Sequence, residues 1–236
     1  MSRRDRHSAS PGPSSALQAD DRPGGLRPPT FWDRVAGLYD LVEWTNAKVN
    51  TAARKRVGEL VPVGGRVLDC AAGTGEFSLA AAKRAGSVLC TDLSLPMLDK
   101  ARKKAKKQGI SNITFDQRDI TALPDPDGSF DAVIAGNVLH LLDDPGPAVR
   151  ELWRVTAPGG RLILPTYLQG KVGSSYGTLI KIYQGVGFHY EHAFTPETYR
   201  MFLERLELGP GTAQVTVEVV DGKVPEGIAV LEKPIS

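Results

Sequence analysis

Val67-Leu68-Asp69-Cys70-Ala71-Ala72-Gly73-Thr74-Gly75 runs from a short apolar stretch straight into a glycine-rich bend. Glycines at such a bend let a ligand lie against bare backbone, and a helix beginning there favours a negative ligand group. A phosphate loop would end in Gly-Lys-Ser/Thr, which is missing. A dinucleotide fingerprint would carry a third glycine at position 78, where Ser78 stands. Asp69 adds a further condition: an anion there opposes a pyrophosphate but suits a ligand bearing an ammonium group. Taken alone, the stretch is also consistent with a tight strand-to-helix turn and nothing more.

Its neighbours narrow the choice. Val88-Leu89-Cys90-Thr91-Asp92 ends a second strand in a carboxylate, at the distance beyond the glycines where nucleoside-binding α/β folds place the acceptor for their ribose hydroxyls. A carboxylate accepts from both hydroxyls at once. The competing reading of Asp92 is the N-cap region of the next helix. Further on, Asp116-Gln117-Arg118-Asp119-Ile120 follows a third strand. Asp119 there could accept from an adenine amino group with Ile120 against the ring, or it could simply form a turn.

The rest of the chain alternates strand and helix, the pattern of a parallel sheet covered on both faces. Strands are expected at Arg66–Asp69, Val88–Thr91, Ile113–Asp116, Phe130–Ala135 and Arg161–Pro165. Helices are expected at Gly75–Arg84, from the N-cap Ser94 to Gln108-Gly109, and at Pro145–Val155 before the turn Pro158-Gly159-Gly160. Residues 31–60 carry apolar residues at helical spacing and are read as one or two helices. Val215–Val220 and Ile228–Leu231 flank Asp221-Gly222 and suit an antiparallel pair. Residues 1–30, rich in Pro, Gly, Ser and charge, are expected to be a disordered leader, and 31–236 one domain.

Composition removes several classes. Residues 1–30 hold five of the 29 basic and three of the 27 acidic residues, so the body is balanced. A balanced body argues against a duplex-binding surface, which needs a clustered positive footprint. The run Arg102-Lys103-Lys104-Ala105-Lys106-Lys107 falls on a helix and reads as a solvated face. Two cysteines, Cys70 and Cys90, make no disulfide framework. Nothing approaches a membrane-spanning apolar stretch, and a cytoplasmic location is expected.

With these elements in this order, the chain resembles the class I S-adenosylmethionine-dependent methyltransferases, in particular the branch around the ubiquinone and menaquinone C-methyltransferases. The resemblance runs from Tyr39 to Lys233. The acidic-x-Gly-x-Gly-x-Gly element is matched by Asp69, Ala71, Gly73 and Gly75, with Ala71 in place of the usual glycine. Asp92-Leu93-Ser94 with Met97-Leu98, Asp119-Ile120, Gly136-Asn137-Val138-Leu139-His140 and Arg154-Val155-Thr156-Ala157-Pro158-Gly159-Gly160 match in turn. The resemblance implies an α/β, Rossmann-like, doubly wound seven-stranded sheet of order 3-2-1-4-5-7-6. Strand 7 would be antiparallel, with N-terminal helices before the sheet and an insertion after strand 5. It implies S-adenosylmethionine as cofactor, held by Asp69, Ala71, Gly73, Thr74, Gly75, Asp92, Leu93, Met97, Asp119, Ile120 and Asn137. The reaction implied is an in-line displacement that leaves S-adenosylhomocysteine.

The acceptor side is less sharply written. Ligands of doubly wound sheets sit beyond the carboxyl ends of the strands, which puts Asn137, His140 and Tyr167 near the methyl group. His140 and Tyr167 are the candidates for catalysis, with a capping or packing histidine as the other reading of His140. Tyr39, His140, Tyr167, Tyr176, Tyr183 and His189 are candidates for enclosing a small-molecule acceptor, with 167–194 as a lid. Those aromatics could equally pack an insertion onto the core. His189 and His192 are three residues apart but have no third ligand nearby, so no metal is expected. Two other functions stay open: a non-catalytic cofactor-binding scaffold, and a nicotinamide oxidoreductase, against which Ser78, Asp69 and the antiparallel tail speak.

Overall fold

A computed structural model describes residues 46–169, 192–209, 215–222 and 224–235. The elements in chain order are α1 (Ala47–Leu60), β1 (Arg66–Asp69), α2 (Glu76–Ala81), β2 (Ser87–Asp92), α3 (Leu95–Lys107), β3 (Ile113–Gln117) and β4 (Phe130–Ile134). After a 3-10 turn at Leu139–Leu141 come α4 (Gly146–Val155), β5 (Thr156–Tyr167), α5 (Pro196–Glu204), β6 (Thr216–Val220) and β7 (Glu226–Glu232). The strands form one sheet of order β3-β2-β1-β4-β5-β7-β6. The first five run parallel, and β7 lies antiparallel between β5 and β6. This is the Rossmann-like topology that the motif order implies.

Successive side chains of a strand point to opposite faces, so a sheet buried on both sides needs apolar residues at every position. The central strands β4 and β5 come nearest to it, while the outer strands β3 and β6 carry polar and exposed positions. Val67, Ala132, Ile134 and Ile163 join a core layer with α1, α2 and α3. Leu68, Val133, Ala135, Leu162 and Leu164 join a second layer with α4 and α5. Cys70 and Cys90 are free thiols, one in each layer.

Several boundaries fall where the local chemistry puts them. Ser94 caps α3, its hydroxyl accepting from Met97 N–H, and the helix closes at Gln108 before Gly109 at φ 68°. The turn Ala157–Gly160 interrupts β5: Phe130 pairs with Thr156 but Ala132 with Arg161, so the extra residues loop out of the ladder. A Cβ on Gly160 would lie 2.8 Å from the Ala157 carbonyl oxygen and 2.9 Å from that of Asp131, which only glycine avoids. Helix α5 had no counterpart in the periodicity reading. Its start is nevertheless a capping box at Thr195 and Thr198 with proline in the first turn. The Tyr199 hydroxyl ties α5 to the sheet by donating to the Leu164 carbonyl at 3.0 Å.

Of the expected N-terminal helices, 47–60 is described as α1; Phe31, Trp32 and Tyr39, like the leader 1–30, lie outside the described residues. Of the expected lid, 170–191 lies outside them too, and with it Tyr176, Tyr183 and His189. No helix among the described residues is long and apolar enough to cross a membrane.

Candidate cofactor and acceptor site

The bend after β1 is built on three alternating residues in the left-handed region, Ala71 at φ 50°, Gly73 at 55° and Gly75 at 80°. The two glycines serve different ends. A Cβ on Gly75 would lie 2.7 Å from Ala101 Cβ, so this glycine lets α3 approach the bend. A Cβ on Gly73 would meet no protein atom within 4 Å, so Gly73 faces open space. Ala71 carries a side chain where the left-handed conformation costs about 1 kcal/mol.

Asp69 ends β1 with no exposure. Its Oδ2 accepts from the Ser78 hydroxyl at 2.6 Å, and its Oδ1 is buried with no hydrogen-bond partner among the described residues. Burial pushes its pKa up to about 7, while hydrogen bonds from Ser78 pull the other way. Ser78, where a dinucleotide fold would have glycine, is therefore the group that orients this carboxyl. A buried carboxylate oxygen beside a bend with open space is what a cationic ligand group would complete.

Asp92, at the end of β2, binds the bend to the next helix. Its Oδ2 accepts from Gly73 N–H and its Oδ1 from Ser94 N–H, both at 2.8 Å. The side chain thus fixes the glycine bend from the end of β2, next to Gly73. Leu93 is half-buried, its carbonyl held by Gln117 Nε2 at 2.7 Å, and Met97 is buried in the first turn of α3. Thr74 has its hydroxyl 2.8 Å from Lys104 Nζ, and Lys104 also binds Glu76. Its side chain thus anchors α3. The Asp119 Oδ1 accepts from Thr121 N–H and hydroxyl at 2.8 and 2.7 Å, the turn-forming arrangement, and Ile120 is buried in the α4-side core.

A second polar group lies at the ends of β4 and β5. Asn137, at φ 55°, donates its backbone N–H to Pro165 and its side-chain Nδ2 to Glu226 Oε1 at 3.2 Å. Tyr167 donates its hydroxyl to Asn50 Oδ1 at 3.3 Å, and Asn46 Nδ2 donates to the same oxygen. Asn46 also reaches the Val224 carbonyl at 2.9 Å, which draws α1 onto the loop before β7. His140 is buried, with Nδ1 3.1 Å from the Thr166 hydroxyl. Burial, and after it the charge of His192, pushes its pKa down to about 3. An imidazole this weakly basic takes a proton poorly near neutrality, and its geometry fits the packing alternative. His192 places Nε2 3.1 Å from the Asp143 carbonyl.

Asn46, Asn50 and Glu226 were not among the residues that sequence reasoning singled out. The four-residue spacing of the two asparagines on one helix was a usable signal. Glu226 gives none, since a carboxylate at the start of a strand usually faces solvent.

Comparisons with known proteins agree with the fold. Residues 68–164 match a family model described as a methyltransferase domain. The demethylmenaquinone methyltransferase of Thermus thermophilus is 39% identical over 165 residues, covering 65% of this chain and 71% of that protein. The ubiquinone/menaquinone biosynthesis C-methyltransferase of Bdellovibrio bacteriovorus is 38% identical over 122 residues; there the match spans only about half of each chain, 51% and 51%. A solved S-adenosylmethionine-dependent methyltransferase from Aquifex aeolicus superposes with a TM-score of 0.62 at 21% identity, over 83% of this chain and 97% of that one, a likeness of fold. By its sheet order, its glycine bend and this likeness in sequence, the chain belongs to the class I S-adenosylmethionine-dependent methyltransferases, in the ubiquinone and menaquinone C-methyltransferase branch.

Proposed function

We propose that this chain transfers a methyl group from S-adenosylmethionine to a small-molecule acceptor. The observation that carries this reading is the Asp69 carboxyl: fully buried, one oxygen without a donor, beside the open left-handed bend at Gly73. In this reading Asp69 and the bend from Ala71 to Gly75 hold the amino-acid end of the cofactor. Asp92 holds the ribose, with Leu93, Met97, Asp119, Ile120 and Asn137 around the remainder. When bound, the cofactor supplies an electrophilic methyl carbon on a sulfonium, so the protein's work is positioning and exclusion of water.

The acceptor is assigned to the carboxyl ends of β4 and β5, where Asn137, Tyr167 and Glu226 meet. Tyr167 is held by α1 through Asn50 and so supports the acceptor side. Tyr39, Tyr176, Tyr183 and His189 are proposed to close over it, with 167–194 as the lid. The Thermus relative is named for demethylmenaquinone, which makes a quinone-precursor ring the first acceptor to offer. A cytoplasmic location goes with this reading, since Cys70 and Cys90 are buried free thiols.

The test is incubation of the purified chain with methyl-labelled cofactor and a metabolite extract, followed by mass identification of the product. Transfer of label to one small molecule is expected. No label transferred and no calorimetric heat with S-adenosylhomocysteine would reject the reading; heat without transfer would leave a cofactor-binding scaffold.

A further inference from the structure

Glu226 opens β7 with 1% of its surface exposed, a costly place for a carboxylate in a strand whose neighbours are apolar. Its Oε1 takes the Nδ2 hydrogen bond of Asn137 at 3.2 Å. With Nδ2 donating to Glu226, the Asn137 amide sets its NH2 toward Glu226 and its carbonyl away. That carbonyl oxygen is buried and has no donor among the described residues. The Asn137 backbone is itself held, at φ 55° with its N–H bound to the Pro165 carbonyl at 2.8 Å, so only the side-chain torsions place the amide. The cluster stands at the carboxyl ends of β4 and β5, with Tyr167 opposite Glu226 in register.

We propose that Glu226 is a positioning residue. It orients the Asn137 amide so that its oxygen receives a hydrogen bond from an N–H or O–H group of the methyl acceptor, and so selects acceptors that carry such a donor near the methylated atom. The inference rests on the methyl-transfer reading. The cofactor's ammonium group could supply the same chemistry, but Asp69 already offers it a buried oxygen without a partner. A tie that merely joined β4 to β7 would lower the melting temperature of Glu226→Gln without moving the half-saturation point for the acceptor.

The test uses the full chain as wild type, Glu226→Gln, Asn137→Ala and the double variant Asn137→Asp/Glu226→Gln. Glutamine both donates and accepts, so Glu226→Gln removes the enforced orientation. The double variant rebuilds the pair with donor and acceptor exchanged and leaves one Asp oxygen for the ligand; Asp tolerates the left-handed region as Asn does. Melting curves establish that each variant is folded, and Asn137→Ala reads the same oxygen if Glu226→Gln is not. S-adenosylhomocysteine affinity is measured by calorimetry, and labelled-methyl transfer is measured into serial dilutions of one metabolite extract. Glu226→Gln should raise the half-saturating extract concentration about tenfold, with cofactor affinity within about twofold of wild type, and Asn137→Ala should raise it at least as far. The double variant should recover most of that loss.

An unchanged half-saturation point overturns the proposal, as does a double variant no better than Glu226→Gln. Loss of S-adenosylhomocysteine affinity in step with transfer in Glu226→Gln assigns the donor to the cofactor and also overturns it. Failure of the wild type to bind S-adenosylhomocysteine, by contrast, removes the methyl-transfer reading itself.

Discussion

The two halves of the site are built by different means. Around β1 and β2 the proposed binding surface is backbone: a bend at Ala71, Gly73 and Gly75, stitched by Asp92 to two N–H groups and closed by a buried Asp69. Around β4, β5 and β7 it is side chain: Asn46, Asn50, Asn137, Tyr167 and Glu226, brought together from segments far apart in the chain. A backbone site is compact in sequence and serves a fixed cofactor. A side-chain site can vary its chemistry without disturbing the sheet, which suits an acceptor that differs between relatives.

The contrast can be broken most severely at Gly73. Gly73→Val should weaken S-adenosylhomocysteine binding by about 100-fold or more in calorimetry, because the new side chain fills the open space and strains the bend. Native-like affinity would show that the ligand does not lie there. Asp92→Ala should come next. Beyond any ribose contact it leaves the Gly73 and Ser94 N–H groups without acceptors, so a stability loss of about 1–3 kcal/mol should accompany a tenfold or greater fall in affinity. Urea unfolding alongside calorimetry separates the two, and affinity equal to wild type would reject the ribose assignment.

A pH series sharpens the same half. Asp69 has its pKa raised to about 7, so below pH 7 the carboxyl is protonated and cannot pair with an ammonium group. Cofactor affinity should therefore rise with pH through 7, by about tenfold between pH 6 and pH 8, and Asp69→Asn should flatten the curve. The stability effect has the opposite sign. A carboxyl whose folded pKa exceeds its unfolded value binds protons better when folded, so the Asp69 contribution to the stability of the ligand-free protein should fall as pH rises from about 4 to 7, while buried neutral His140 acts in the opposite sense over much of that range. The Asp69 part is read as the denaturant midpoint of wild type minus that of Asp69→Asn; a difference that climbs over this range would contradict the burial argument. The smallest effect is expected at Ala71. Ala71→Gly should raise stability by about 0.5 kcal/mol, relief of left-handed strain slightly outweighing the added freedom of the unfolded chain, with affinity within about twofold. A melting temperature lower than wild type would show that the methyl group packs usefully.

This division also explains what could be read from the chain in advance. Asp69, Gly73, Gly75 and Asp92 lie within 24 residues, and each carries a local reason for its type, so the bend proposed to hold the cofactor could be singled out from the sequence, and the sheet order was legible. Ser78 was noted there only as a missing glycine; its hydroxyl on Asp69 follows from the helix turn that brings it back over β1. Glu226 was invisible because its burial depends on β7 entering between β5 and β6. Helix α5 was missed for another reason. Its capping box and proline were present, but only two of its nine residues, Tyr199 and Leu203, are buried, too few to announce a period.

The place of β7 has a consequence for synthesis. Residues 226–232 leave the ribosome after every other described strand, yet they fill a gap between two that are already made. Until they arrive, β5 presents an open row of backbone donors and acceptors from Arg161 to Tyr167, an edge on which another nascent chain can add. Truncation just short of residue 226 would leave the glycine bend complete while making that edge permanent, so such a fragment should aggregate rather than merely lose activity.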